Sequence, residues 1–328
     1  MRKPYVIGIV LLGLGIAVTG PYLAAQDDVL RPGLLGPRPG RAARTDMPNT
    51  AYTASANPAT GYDFVSIDYA VAPWTVFVGI NNLGHIAGWY NFTPATSPVG
   101  DTPVMFDGKR FHGIDIPGST GARAAGINIK DVVVGTYTDA GGVDHGFVFS
   151  GGKISQIDFP GAQGSGTDLT RNNDAGDMVG AYEGAAGTIH AFLLHKGVFT
   201  SFDFPGAQGF TSALGINNAG DIVGEYFEGG RYHGYLYSGG VFTAINFPQA
   251  TLTSAAEIND SGQIVGWYRD ANGVEHGFVM SGGGNFVSVD PPGSVDTFLQ
   301  GINNKGQTVG AAEDTQGELH SLLATPTP

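Results

Sequence analysis

Gly215-Ile216-Asn217-Asn218-Ala219-Gly220-Asp221-Ile222-Val223-Gly224 recurs six times along the chain with small changes. Its leading Asn falls at Asn81, Asn128, Asn173, Asn217, Asn259 and Asn303, and its closing Gly at Gly88, Gly135, Gly180, Gly224, Gly266 and Gly310. The steps between copies are 47, 45, 44, 42 and 44 residues. A fixed period of this size marks a repeat architecture, in which each unit buries its apolar surface against the next.

Around each copy lie four short segments of strand character. In the fourth unit they are residues 211–217, 222–226, 233–237 and 242–246. The segments are β-branched, aromatic or small, and Asn- and Gly-bearing turns separate them, which is the pattern of antiparallel hairpins. Four strands per unit, repeated about an axis, predict an all-β, six-bladed β-propeller with four-stranded antiparallel blades. The link after the fourth segment passes through Pro117-Gly118, Pro160-Gly161, Pro205-Gly206 or Pro292-Gly293, so the blade boundary is expected there. The first segment of each unit is then the inner strand and the fourth the outer one.

This assignment accounts for the two ends of the repeat region. Phe64-Val-Ser-Ile-Asp68 is an outer-strand copy with no inner strand before it, and His320-Ser-Leu-Leu323 is a third-strand copy with no outer strand after it. The N-terminal strand is therefore expected to complete the sixth blade, closing the ring and covering a sheet edge. The organisation that follows is a signal peptide at 1–25, a flexible linker at 26–61, the propeller at 62–324 and a short tail at 325–328.

Arg2-Lys3 followed by a largely apolar run of 15 residues, Tyr5 to Thr19, and then Ala24-Ala25 has the form of a secretory leader. The apolar run falls short of the roughly 20 residues a spanning helix needs. A secreted, periplasmic or extracellular monomer is expected, with no transmembrane domain after cleavage. Residues 26–61, rich in Pro, Gly, Ala, Thr and Arg without an apolar period, read as the linker.

Of 328 residues only 14% are charged, and the formal net charge is −13. Residues 1–60 hold six basic and three acidic residues, so the repeat region carries 10 basic and 26 acidic, a net of −16. Such a surface repels a phosphate backbone, which excludes nucleic acid as a natural partner. The chain has no Cys, so disulfides, thiolate catalysis and Cys-based zinc sites are excluded.

At His190-Ala191-Phe192, with the variants His145-Gly-Phe, His233-Gly-Tyr and His276-Gly-Phe, the chain resembles the bacterial extracellular "HAF" repeat family. That family is named for this tripeptide and pairs it with an Ile-Asn-Asn-x-Gly-x-Ile-Val-Gly segment. The resemblance covers residues 64–323. The first unit departs from it, with Thr102-Pro103 where the His should stand, and the last reads His320-Ser-Leu. It implies secretion and a repeat architecture, and no catalytic residue is carried over from it.

The five repeat histidines (His145, His190, His233, His276, His320) each open the same strand of a different blade. Radial symmetry holds them apart, whereas a zinc site needs ligands converging at about 2 Å; a structural hydrogen-bonding role is expected. The recurrent Asp68, Asp115, Asp158, Asp203 and Asp290, with Asn246 in the fourth unit, are expected to cap the turn before Pro-Gly. Asn-Asn-x-Gly-Asp lacks the alternating carboxylates and terminal bidentate Glu of a calcium loop and reads as a plain turn. No metal and no cofactor are expected.

More informative are positions where a unit breaks its own rule. Two residues before the leading Asn stand Arg171 and Glu257, against Gly79, Gly126, Gly215 and Gly301. Five before it, Arg123 and Asp168 occupy adjacent blades, where the others have Val76, Ser212, Ser254 and Phe298. All four charges lie on inner strands near the axis, where an unpaired charge costs desolvation. Arg123, Asp168, Arg171 and Glu257 are therefore the candidate binding residues, at the channel mouth. No Gly-x-Ser-x-Gly elbow, phosphate loop, dinucleotide fingerprint or His-Glu-x-x-His is present. The sequence thus favours a non-catalytic binding module for an extracellular carbohydrate, peptide or envelope component. The alternatives are a hydrolase or lyase using those four side chains and a structural cell-surface protein.

Overall fold

The computed structural model describes residues 50–53, 61–69, 72, 74–91 and 101–327. The expected signal peptide and most of the expected linker lie outside the described residues. Six antiparallel sheets stand around one axis. Blade 4 shows the common plan, with an inner strand Thr211–Ile216, a second strand Ile222–Glu228, a third Arg231–Ser238 and an outer strand Val241–Ile245. The inner strands of blades 1, 2, 3, 5 and 6 are Trp74–Ile80, Gly121–Ile127, Thr167–Asn172, Leu252–Ile258 and Asp296–Ile302. Strand order within each sheet is inner, second, third, outer, so the chain crosses to the next blade through the Pro-Gly link, as its sequence predicts.

Ring closure occurs as expected. The strand Tyr62–Asp68 pairs antiparallel with Leu319–Pro326 in the register Tyr62↔Pro326 to Val65↔Leu323. The third strand of blade 6 thus runs two residues into the expected tail. The Ser321 hydroxyl donates to Ile67 O at 2.7 Å and accepts from Ile67 N–H at 3.0 Å, which fixes that register. Thr50–Thr53, within the segment read as linker, forms a fifth strand on this blade, with Thr50↔Asp68 and Thr53↔Val65 opposite one another.

Every inner strand carries a β-bulge at the same place, between Ala213 and Gly215 in blade 4 and at the equivalent residues elsewhere. The closing Gly explains its own recurrence here. A Cβ at Gly224 would overlap Ser212 O, and the same collision recurs at Gly88, Gly135, Gly180, Gly266 and Gly310. The core lies in the seams between blades. One cluster joins Phe77, Ile86 and Val104 of blade 1 to Ile67 and Val309 of blade 6; another joins Val223 of blade 4 to Ala255, Ile264 and Phe278 of blade 5. Across three seams the Phe of the link stacks face to face on a Tyr of the next blade: Phe159 on Tyr182 at 3.6 Å, Phe204 on Tyr226 at 3.6 Å and Phe247 on Tyr268 at 3.5 Å. Among the described residues no helix is long and apolar enough to cross a membrane.

Candidate functional site

The leading Asn does two jobs. In blade 4 Asn217 Oδ1 accepts Ala219 N–H at 3.0 Å and Asp221 N–H at 2.9 Å, capping its own turn. Its Nδ2 donates to Asn259 O of the next blade at 3.3 Å. The same bond runs from Asn81 to Asn128, Asn128 to Asn173, Asn173 to Asn217, Asn259 to Asn303 and Asn303 back to Asn81. Six amides thus close a circle of interblade hydrogen bonds at one end of the axis. Buried backbone carbonyls need partners, and only a short side chain with both a donor and acceptors serves both ends of this arrangement.

Outside this circle runs a second one. The side chains of Asp174, Asn218, Asp260, Asn304 and Asn82 each accept the N–H of the equivalent residue in the preceding blade, at 2.8 to 2.9 Å. It is broken at Ile129, which has no acceptor to offer. The two circles line a bowl on the turn face, built from Asn, Asp, Ile and Glu257 without a basic residue. Asn172 stands where the other five blades have Ile, and its buried Oδ1 is without a hydrogen-bond partner.

The bowl is blind because the axis beneath it is plugged. At the position two before the leading Asn, Gly79, Gly126, Gly215 and Gly301 crowd together. A Cβ at Gly215 would lie 2.7 Å from Glu257 Cα, and one at Gly126 would lie 3.0 Å from Arg171 Cα. The room left by four glycines is filled by Arg171 and Glu257, which form an ion pair across the axis. Beyond the bond from Nε to Glu257, Arg171 donates to Ala125 O at 2.8 Å, Thr170 O at 2.9 Å, Val78 O at 3.0 Å and Gln300 O at 2.5 Å. All five guanidinium N–H groups are satisfied. Glu257 in turn accepts Ile258 N–H at 3.1 Å and the N–H of Ile216. Together the pair holds all six blades. Burial pushes the Glu257 carboxyl above its ordinary range, and Arg171 opposes that shift.

Arg123 and Asp168 lie near the link end of their inner strands, away from the plug. Arg123 pairs with Asp101 and lies 5.0 Å over the Trp89 ring, while Asp168 accepts the Thr136 hydroxyl. The four residues singled out by sequence therefore form no single pocket. Two make the plug, and two belong to seams. These seams are filled by matched pairs between a second strand and the next inner strand: Trp89 with Arg123, Thr136 with Asp168, Trp267 with Phe298 and Ala311 with Val76. The irregular inner-strand residues are answered by irregular partners. Burial pushes Asp168 up to about 8, with Thr136 and Arg123 pulling the other way and Asp144 adding to the shift. Burial also pushes Glu225 up to about 7 and Asp144 up to about 6.

The repeat histidines hydrogen-bond within their blades as expected, and their partners correct the reading of the recurrent Asp. His145 Nδ1 lies 3.1 Å from Asp158, His190 Nδ1 2.9 Å from Asp203, His276 Nδ1 2.9 Å from Asp290 and His320 Nδ1 3.2 Å from Asp68. His233 Nδ1 lies 2.6 Å from Asn246. In these blades the outer-strand Asp anchors the histidine rather than capping the Pro-Gly turn. In blades 2 to 5 an Asp, or Asn246 in the fourth, follows the His at a nearly constant spacing, a co-occurrence from which the pairing can be read.

No family model and no curated protein matches the chain. Among solved structures it is similar to TolB from Acinetobacter baumannii, at 13% identity and a TM-score of 0.52, over 74% of this chain and 64% of that one. It thus spans less than two thirds of the TolB chain. It is also similar to AofleA from Arthrobotrys oligospora, at 12% identity and a TM-score of 0.51, over 81% and 93% of the two chains. The β-propeller domain of the Trilobed protease from Pyrococcus furiosus aligns at 12% identity and a TM-score of 0.49, over 87% and 92%. Identities this low speak to fold alone. On topology and likeness together, the chain is a six-bladed β-propeller.

Proposed function

We propose that this protein is a non-catalytic binding module that takes a neutral, hydroxyl-rich ligand of the carbohydrate class in the bowl on its turn face. The bowl carries the reading. Its rim presents Asn and Asp side chains whose orientation the second circle of hydrogen bonds fixes in advance, so little entropy is lost when a ligand docks. Amides and carboxylates offer donors and acceptors to hydroxyl groups, whereas the lack of a basic lining residue disfavours an anion. The leader-like N-terminus makes an extracellular glycan the natural source.

Glycan-array screening of the protein, followed by calorimetric titration with the best oligosaccharide, tests this. Asn218→Ala combined with Asn304→Ala removes rim amides while leaving the inner circle intact, and at least a tenfold loss of affinity is expected. A blank array, or a titration that the double substitution leaves unchanged, overturns the assignment.

A further inference from the structure

Blade 6 carries a side-chain set that its sister blades lack. In blades 2, 5 and 6 the repeat His stands between two Asp side chains. One comes from the end of the outer strand and meets Nδ1; the other comes from the turn between second and third strands and faces Nε2. The Nε2 separations are 3.5 Å from His145 to Asp139, 4.0 Å from His276 to Asp270 and 3.6 Å from His320 to Asp314. A neutral imidazole that donates its Nδ1–H to the outer Asp turns a bare Nε2 lone pair toward the second carboxylate. Two acceptors facing one another call for positive charge between them.

In blades 2 and 5 the residue two before the His is Val143 or Val274, which adds no third ligand. In blade 6 the same position holds Glu318, which is exposed. The ligand atoms of Asp314, Glu318 and His320 lie within 4.8 Å of one another. Ligands at about 2.0–2.2 Å from a tetrahedral ion stand roughly 3.4 Å apart, close to the separation already present between Asp314 and His320. The exposed Glu318 side chain can close the remaining gap.

We propose that Asp314, Glu318 and His320 form a site for a first-row divalent cation, with Asp68 orienting the imidazole. Two carboxylates and one imidazole suit zinc and its neighbours rather than calcium or magnesium, and they leave a fourth position to water. A carboxylate on the far nitrogen of a ligating histidine fixes its tautomer and raises its basicity. Location adds a consequence. Asp68 lies on the strand that closes the ring and His320 on the strand it closes against, so occupancy ties the two ends of the folded region together.

The test is calorimetric titration of the full chain with Zn²⁺ at neutral pH, with thermal unfolding read in parallel. One tight site is expected in the unaltered protein, with a rise in Tm on Zn²⁺ addition. Glu318→Gln keeps the turn, whose N–H bond to Asp314 is made by the backbone, and should weaken the site at least tenfold and abolish the Tm rise. Val143→Glu should build a second site in blade 2 and raise the stoichiometry from one to two. No tight binding, equal binding by Glu318→Gln, or several equivalent sites in the unaltered protein overturns the proposal.

Discussion

At the scale of single residues, Arg171 and Glu257 show how a repeat tolerates two charges on its axis. Each replaces a glycine, and each is affordable only because the other is present and because backbone groups of the ring satisfy what remains. Removing one partner of a buried pair leaves an uncompensated charge, at a cost of about 3–5 kcal/mol. Arg171→Gly or Glu257→Gly alone should therefore destabilise the fold by an amount of that order. Both substitutions together restore the glycine of the other four blades and should cost less than the sum of the two. Chemical denaturation of the three variants checks this; additive effects would show that the pair is not coupled.

At the scale of the element, the closing strand Tyr62–Asp68 does for blade 6 what the local outer strand does for the others. It buries Phe64 and Ile67, its Asp68 anchors His320, and its backbone covers the edge of Leu319–Pro326. Each large apolar side chain taken from water contributes about 1.5–3 kcal/mol, so its loss removes a large share of the 5–15 kcal/mol that holds a domain. Truncation before Gly61 should leave a cooperative thermal transition, because the added strand Thr50–Thr53 only extends an already complete blade. Truncation before Tyr69 should abolish that transition and produce aggregation through the bared edge. Equal melting of the two truncations would mean that closure contributes little.

At the scale of the whole molecule, the seams hold carboxyl groups whose proton affinity folding has raised. Burial is the leading cause for Asp144 at about 6, Glu225 and Glu275 at about 7 and Asp168 at about 8. In the unfolded chain such groups titrate near 4. Between pH 4 and 8 the folded state therefore binds more protons than the unfolded one, and stability falls as pH rises. Surface carboxylates held low act the other way. Asp107, where slight burial is outweighed by His112 and two backbone N–H groups, sits at about 2 and loses its contribution only as pH falls below about 4. Maximum stability is expected near pH 4–6, with Tm dropping toward pH 8. Asp168→Asn removes the most displaced of these groups and should flatten that decline; an unchanged slope would show that Asp168 titrates normally.

The number of blades, their boundaries, the strand order and the closure by an N-terminal strand were all legible in the sequence, because each follows from periodicity and from which element is missing at each end. The sequence also marked Arg123, Asp168, Arg171 and Glu257 as exceptions to the repeat. It could not say what they touch. Arg171 and Glu257 are 86 residues apart and meet only because six sheets bring one register to a single axis. Arg123 finds Asp101, which lies outside the repeated strands. The circles of Asn, the bowl they line and the ligand set of blade 6 likewise belong to tertiary structure. A repeat fixes what each unit is, whereas contacts between units depend on the curvature and register with which they close.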